Sequence, residues 1–419
     1  MADQLLDINI EASRTSIVAQ DEPQLLYMLV TIGPAKNFGV SKSPINLCLV
    51  VDRSTSMTGL RLQSVKAAAR TVFEELAPED VFSLVTFSDR AETIWSAGEA
   101  RDLQAMRSAI ERIGASGGTE IFQGLQLGVE QIHRSPLANF SNHLIIFTDG
   151  HTYGDDEACL ALARKAAADG INISAFGIGP EWNDRFLDEL AGLSGGETAY
   201  LESPGQVHRD LHQRIQSLGE TYARNLHLFS DFPEEVKLSA AFRVAPVAQP
   251  LSINGSELRL GSVRGQMPLT LLLEFIVTAS KPGQVISVPI ALSADIPSKN
   301  ASKYMVRDQL DLTISDQEVD PDPPDLLLAA VQAWNFHLMN EKAWDDIEAG
   351  DFHRAQTRLR LLSTRLFEAG HSGLAQKMLS ESQRLAASTT VSLEGRKKLK
   401  FSTRALVTGT MKLPKDGNA

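Results

Sequence analysis

The chain has 419 residues, of which 43% are hydrophobic, and this excludes both a single small domain and a disordered chain. Forty Lys and Arg against 52 Asp and Glu give a formal net charge of −12, which argues against nucleic-acid binding because phosphate binding needs a positive surface. No basic N-terminal segment precedes an apolar one, and no apolar run is long enough to span a membrane. The sequence therefore predicts a cytoplasmic protein with several domains.

Residues 1–43 are predicted to form strands, at Leu6–Ile10 and Gln24–Ile32, and the pattern changes at residue 44. From there to residue 218, short apolar runs typical of buried strands alternate with segments of helical periodicity. The predicted strands are 44–51, Val81–Phe87, His143–Thr148 and Ile171–Ile178, and the predicted helices are Gly59–Leu76, Asp102–Ile113, Glu120–His133, Asp156–Asp169 and Asn183–Leu193. This alternation predicts an α/β domain over residues 44–218 with a doubly wound, mostly parallel sheet. Its ligand crevice should lie at the carboxyl ends of the strands.

Residues 219–316 have a strand pattern again, with Gly, Pro and Asn turns between short apolar runs. The predicted strands are Val236–Val244, Leu251–Ile253, Glu257–Leu260, Leu269–Thr278, Val285–Leu292 and Gln309–Ile314. This spacing is typical of an antiparallel β-sandwich. Because the first 43 residues have the same character, we expect them to complete the sandwich, so that the α/β domain is an insertion between its strands.

Two further segments follow the sandwich. Residues 317–390 begin with a stiff, proline-rich linker and then show helical periodicity near 326–348, 351–369 and 371–387. Residues 391–419 carry seven Lys and Arg against two acidic residues, and we expect a basic tail there. A solvated tail and an added strand both remain open as its structure.

Two threonines of this tail, Thr403 and Thr410, each precede a leucine by three residues. That spacing resembles the phosphothreonine motif bound by forkhead-associated domains. The resemblance implies a docking point for such a domain that a kinase regulates, since phosphorylation adds charge suited to an arginine-lined pocket.

Oxygen-bearing side chains cluster in three predicted loops of the α/β domain. Asp52, Ser54 and Ser56 alternate in the loop that follows the first buried strand. Thr119 follows two glycines before a helix, and Asp149 comes directly after another buried strand. Mg²⁺ takes about six oxygen ligands, which the first loop alone cannot supply. All three loops should meet at the same edge of the sheet, so the sequence indicates a magnesium site there, with Mn²⁺ as another possible metal.

One set of residues resembles the metal-ion-dependent adhesion site of von Willebrand factor type A domains: Asp52, Ser54, Ser56, Thr119 and Asp149. The resemblance implies that Ser54 and Ser56 ligate the metal directly. It implies that Thr119 ligates it directly or through water, and that Asp52 and Asp149 hold coordinated waters or bind directly. The position left open would accept an acidic side chain of a partner protein.

The whole chain, with a type A domain inserted in a β-sandwich and followed by helices, resembles the inter-alpha-trypsin inhibitor heavy chains and bacterial intracellular type A proteins. This resemblance implies a metal-dependent protein-binding module without enzymatic activity, serving as an adaptor in a signalling or ATPase-linked assembly. A metal-independent assembly subunit that uses the sandwich and the helices is an alternative. A metal-dependent hydrolase is a more remote one, because nothing in the sequence places a histidine against Ser54 or Ser56 as a general base.

Overall fold

A computed structural model describes residues 4–35, 43–151, 154–253, 257–265, 267–317, 322–388 and 392–410. In these ranges the chain forms two five-stranded sheets and one six-stranded sheet, together with ten α-helices. This confirms the predicted fold class, an α/β domain inserted in a mostly antiparallel β-sandwich and followed by helices. None of the helices in the described ranges has the length and apolar character needed to cross a bilayer.

The elements follow the chain in four groups. The first strands of the sandwich are β1 (Leu6–Ala12), β2 (Ser16–Val18) and β3 (Gln20–Pro34). The inserted domain consists of β4 (Ile45–Asp52), α1 (Leu60–Glu75), β5 (Val81–Phe87), β6 (Ala91–Trp95), α2 (Leu103–Glu111), α3 (Ile121–Ile132), β7 (Ser141–Thr148), α4 (Asp156–Ala168), β8 (Ile171–Ile178), α5 (Asp184–Leu193), β9 (Thr198–Leu201) and α6 (Pro204–Gly219). The sandwich resumes with β10 (Thr221–Phe229), β11 (Val236–Ala245), β12 (Gln249–Pro250), β13 (Glu257–Arg264), β14 (Leu269–Ala279), β15 (Val285–Ile296) and β16 (Ala301–Ser315). The last group is α7 (Asp325–Glu348), α8 (Phe352–Glu368), α9 (Ser372–Ser388) and α10 (Leu393–Thr410).

The sheet of the inserted domain has the order β6-β5-β4-β7-β8-β9 and is parallel except for the edge strand β6. Every residue of β4, β7 and β8 is buried, because α1, α2 and α6 cover one face and α3, α4 and α5 cover the other. The parallel strands end together at one edge of the sheet, as strands of such folds do. Sequence analysis missed β6 and α6.

The sandwich consists of the sheets β1-β3-β14-β11-β12 and β13-β10-β15-β16-β2. Its strand pairs are antiparallel except β16 and β2, which run parallel. Alternating side chains of both sheets fill one continuous apolar core, as the period of two predicts. The inserted domain leaves this sandwich after β3 and returns to it at β10, so the predicted insertion is confirmed.

The C-terminal basic segment is not a tail over residues 393–410. These residues form α10, which packs against α7 and α9 and against the inserted domain. Thr403 is fully buried, and its hydroxyl donates a hydrogen bond to the carbonyl of Lys400 at 2.8 Å. The prediction of a phosphothreonine docking point at Thr403 is therefore wrong, because a kinase cannot reach this hydroxyl in the folded chain. The side chain of Thr410 lies outside the described residues.

Charged residues hold α10 against α5, and we call Asp184, Asp188, Lys397, Lys400 and Arg404 the α5–α10 ion cluster. The Lys400 ammonium lies 2.5 Å from Asp184 and 2.8 Å from Asp188, and its side chain is 1% exposed. Arg404 forms two hydrogen bonds with Asp188. Lys397 donates a hydrogen bond to the carbonyl of Trp182 at 2.6 Å, and its ammonium nitrogen lies 4.3 Å from the centre of the indole ring of Trp182. The cluster joins the last helix to the inserted domain through buried, charge-assisted contacts.

We expect the α5–α10 ion cluster to weaken in acid. Burial alone raises the pKa of Asp184. The nearby cations of Lys400, Lys397 and Arg396 outweigh that effect and lower the pKa to about 2. A carboxyl group whose pKa is lowered by folding stabilises the fold above its usual pKa and loses that contribution as the pH falls through the lowered value.

The destabilisation caused by Asp184→Asn should therefore be complete above about pH 5 and shrink between about pH 4 and pH 2. Urea unfolding of the native chain and the variant at a series of pH values measures this difference. A difference in unfolding free energy that stays constant over that range would show that the Asp184 charge does not hold α10 in place.

Candidate metal site

The first loop of the site leaves the sheet at Asp52, the last residue of β4. Asp52 is fully buried, and its Oδ1 accepts a hydrogen bond from the backbone N–H of Ser54 at 2.7 Å. A short 3₁₀ turn over Thr55–Met57 follows and places Ser56 at the surface. The loop therefore directs the oxygen atoms of Asp52, Ser54 and Ser56 toward the edge of the sheet.

The loop after β7, which carries Asp149, meets the first loop through a direct hydrogen bond. The Ser56 hydroxyl donates to Oδ1 of Asp149 at 2.7 Å, and the hydroxyl oxygens of Ser54 and Ser56 are 3.0 Å apart. Asp149 follows directly after β7 and is fully buried. Four of the five predicted ligands are thus joined by hydrogen bonds in one cluster.

The second loop, between α2 and α3, brings Thr119 to the same edge of the sheet. A β-carbon at Gly150 would lie 3.3 Å from Oγ1 of Thr119, so this hydroxyl faces the loop that carries Asp149. The backbone N–H of Thr55 donates to the carbonyl of Gly117 at 3.1 Å, which ties the first loop to the second. Gly117 has φ +80°, and a β-carbon there would lie 2.4 Å from a carboxylate oxygen of Asp89, so the turn requires glycine.

Negative charge is concentrated in the site. Burial is the largest influence on Asp52 and raises its pKa to about 6, against the hydrogen bonds from Ser54 and Thr148 that favour the carboxylate. The nearby charge of Asp149 acts in the same direction as burial. Asp149 itself forms an ion pair with Arg61 of α1. Ionised, the two buried carboxylates carry more charge than this guanidinium balances.

The donor set fits a hard divalent cation. Three hydroxyls and two carboxylates present only oxygen, which is the ligand type that Mg²⁺ and Mn²⁺ prefer. A dication would neutralise both carboxylates, which are costly to bury while charged. Among the described residues no group of three or more His, Cys, Asp or Glu side chains is placed to hold a metal. The candidate site has only two such side chains, Asp52 and Asp149, and relies on three hydroxyls for the rest of its oxygen atoms.

Two residues that sequence analysis missed complete the surroundings of the site. Thr148, the last residue of β7, donates a hydrogen bond to Oδ2 of Asp52 at 2.7 Å and thereby orients the buried carboxylate. Its position beside Asp149 could have suggested this role. Arg61 also donates to the backbone carbonyl of Ser56 at 3.3 Å. Nothing in the sequence around Arg61 distinguishes it from other basic residues on a helix surface.

The histidine buried in the sheet of the inserted domain does not serve the site as a base. His143 lies near the start of β7, whereas Asp149 follows the end of that strand. Its Nε2 lies 2.8 Å from the hydroxyl of Ser141. Burial lowers the pKa of His143 well below its usual value, and the cations Arg214 and Arg264 lower it further. His143 is thus a neutral core residue at the opposite end of the strand.

Family models match two parts of the chain. The model of the von Willebrand factor type A domain matches residues 46–213. The model of the Sll0103-like, C-terminal alpha-helical domain matches residues 325–409. Protein sll0103 of Synechocystis sp. is 30% identical over 329 residues, which cover 76% of this chain and 77% of that protein.

Two further similarities concern a mammalian protein and a solved structure. Inter alpha-trypsin inhibitor, heavy chain 4 of Mus musculus is 29% identical over 243 residues, which cover 53% of this chain and 26% of that protein. The chain thus spans about a quarter of the length of this relative. A von Willebrand factor type A structure from Catenulispora acidiphila covers 95% of this chain and 96% of its own, with a TM-score of 0.73 at 15% identity. At that identity the likeness concerns the fold alone.

Proposed function

Because this chain belongs to the von Willebrand factor type A family, we propose that it captures a protein partner whose acidic side chain completes a divalent metal site. Type A domains commonly bind a divalent metal at this motif and mediate protein–protein interactions. The observation that carries the proposal is the convergence of five oxygen-bearing side chains at one edge of the sheet: Asp52, Ser54, Ser56, Thr119 and Asp149.

Each residue has a distinct part in the proposal. Ser54, Ser56 and Thr119 would present hydroxyl oxygens to the metal, while Asp52 and Asp149 would supply the negative charge. Bound there, Mg²⁺ or Mn²⁺ supplies the electrostatic attraction for a carboxylate oxygen of the partner. With only two protein carboxylates against a dication, a third carboxylate from outside is not repelled.

We propose that this function is binding without catalysis, as an adaptor in a signalling or ATPase-linked assembly. A hydrolase would need an available base within hydrogen-bond reach of the nucleophile. Asp149, which accepts a hydrogen bond from Ser56, is paired with Arg61, and no histidine of the described residues hydrogen-bonds Ser54 or Ser56. We also propose a cytoplasmic location. Cys48 and Cys159 are free and buried, which suits a reducing compartment.

Metal-dependent binding of acidic peptides tests the proposal. We expect the chain to retain immobilised peptides that contain aspartate or glutamate in Mg²⁺ or Mn²⁺, and to release them in EDTA. Ser54→Ala should weaken this retention at least about tenfold, because it removes one oxygen of the metal set. Binding is measured by surface plasmon resonance with matched peptides that carry asparagine or glutamine instead.

Ser108→Ala is the matched control, because Ser108 is an exposed residue of α2 whose hydroxyl, among the described residues, bonds only to the carbonyl of Gln104 in its own helix. It should leave retention unchanged. Retention that is equal in Mg²⁺ and EDTA would contradict metal-dependent capture and favour a metal-independent assembly subunit.

A further inference from the structure

A polar cavity of 360 Å³ lies beside the first metal loop. Its lining comes from the metal loop, the neighbouring strands β5 and β6, and α2 with the residues that follow it: Arg53, Thr86, Glu92, Thr93, Ile94, Ala109, Arg112, Ile113 and Gly114. The lining therefore combines residues from four elements of the inserted domain. None of them belongs to the proposed metal set.

One buried hydroxyl of this lining has no partner. Thr86 is fully buried in β5, and its Oγ1 makes no hydrogen bond to any residue that the structure describes. A buried polar group without a partner costs on the order of 1–3 kcal/mol, so native chains rarely keep one. A hydrogen bond from a ligand in the cavity would remove that cost, and it requires the side chains over Thr86 to shift, because the hydroxyl has no accessible surface in this structure.

Two guanidinium groups line the same cavity. Within the described ranges, no ion pair joins Arg53 or Arg112 to a carboxylate, that of the neighbouring Glu92 included. Arg53 donates one hydrogen bond to the hydroxyl of Ser116 at 2.7 Å, which fixes its direction. Two cations against one carboxylate leave the lining positive, and arginine is suited to planar, bidentate binding of carboxylates.

The cavity is also close to the metal site. Thr86 pairs with Val51 across β5 and β4, one position before the pair of Phe87 and Asp52. Neighbouring strands lie about 4.8 Å apart. The backbone N–H of Arg53 donates to the carbonyl of Phe87 at 2.8 Å. Arg53 directly follows Asp52 in the metal loop and also lines the cavity, so the cavity adjoins the metal site.

We propose that this cavity is a carboxylate-binding site, distinct from the metal site, in which Arg53, Arg112 and the Thr86 hydroxyl hold the ligand. The carboxylate is either a second acidic side chain of the partner that binds the metal or a free small acid. The lining residues and not the metal carry this binding, so the inference stands independently of metal-dependent capture.

Titration of the metal-free chain with sodium malonate tests the site itself. Metal is removed with a chelating resin, because EDTA is itself a polycarboxylate and would compete. Isothermal titration calorimetry should show saturable binding that sodium chloride at equal ionic strength does not reproduce. Arg112→Gln should weaken it at least tenfold, and Thr86→Val should weaken it several-fold. Glu92→Gln should strengthen it, because that variant removes the one repelling carboxylate.

Arg107→Gln is the matched control, because Arg107 lies on α2, which ends just before Arg112, but is bonded to Glu74 outside the cavity. It should bind malonate like the native chain. The absence of saturable binding, or an affinity that Arg112→Gln and Glu92→Gln both leave unchanged, overturns the proposal. The gain expected for Glu92→Gln guards against a loss that reflects misfolding alone.

A second arm, in Mg²⁺, identifies the source of the carboxylate. Peptides with two aspartates separated by one to four glycines are compared with peptides in which one aspartate is asparagine. With four glycines between them, the Cα atoms of two aspartates in an extended peptide lie at most about 18 Å apart. If the second carboxylate comes from the partner, the two-aspartate peptide of one spacing should bind at least tenfold more tightly than its one-aspartate counterpart. Arg112→Gln should abolish that gain and leave the binding of the one-aspartate peptides unchanged. Malonate binding without any diacid gain assigns the site to a free acid.

Failure of the two proposals is distinguishable. Malonate binding that persists while no peptide binds in Mg²⁺ would leave the carboxylate site standing and contradict metal-dependent capture. Peptide capture in Mg²⁺ without malonate binding would support metal-dependent capture and contradict the carboxylate site.

Discussion

Replacing Lys400 with methionine should lower the free energy of unfolding by about 3–5 kcal/mol, since removal of one partner from a buried ion pair leaves an unpaired charge. The Lys400 side chain is 1% exposed and contacts two carboxylates, Asp184 at 2.5 Å and Asp188 at 2.8 Å. Methionine fills similar space but cannot donate a hydrogen bond. Both carboxylates would then depend on the remaining cations of α10.

The lost contact should also release α10 from the inserted domain before the rest of the chain unfolds. Limited proteolysis and hydrogen exchange of residues 393–410 report this local opening, and chemical denaturation reports the change in free energy. Lys398→Met is the matched control, because Lys398 lies on the same helix but is 34% exposed and pairs with Glu394 and Glu202 at the surface. It should cost less than about 1 kcal/mol. Equal effects of the two substitutions would contradict a buried role for Lys400.

Helix α10 also marks the limit of what periodicity could predict. The buried strands β4, β7 and β8 are continuous apolar runs, and their environment is legible in the residues themselves. In α10 the buried face contains Lys397, Lys400 and Arg404, which a pattern of hydrophobic residues assigns to solvent. These cations are buried because Asp184 and Asp188, more than 200 residues earlier in the chain, neutralise them. Only the tertiary contact supplies that information.

The candidate site likewise combines features that the sequence indicates locally with features that only tertiary contacts supply. The alternation of Asp52, Ser54 and Ser56 within one loop is a local pattern, and the expectation that three loops meet at one edge of the sheet added Thr119 and Asp149. The folded chain brings these residues together, while metal ligation by them stays a prediction. The ion pair of Arg61 with Asp149 and the cavity beside Arg53 depend on helix packing and strand pairing across the domain. No spacing along the chain indicates them.

Replacing Asp52 with asparagine should abolish the stabilisation of the chain by Mg²⁺. A ligand that binds only the folded state at 100 times its dissociation constant stabilises that state by about 2.7 kcal/mol. Asp52 is fully buried at the base of the site, where Ser54 and Thr148 hydrogen-bond its two oxygens. Asparagine keeps the shape but removes the negative charge, so a dication would face only one protein carboxylate.

Thermal unfolding with increasing Mg²⁺ or Mn²⁺ measures this effect. The native chain should show a melting temperature that rises with metal concentration, and the Asp52→Asn chain should show none of this rise. In metal-free buffer the two chains should differ by less than about 1 kcal/mol, since the substitution also removes one of two neighbouring buried carboxylates. Asp308→Asn, at an exposed position of β16, should respond to metal like the native chain. A rise in the Asp52→Asn chain equal to the native one would place the metal elsewhere, because a dication held by the five oxygens cannot be indifferent to this charge.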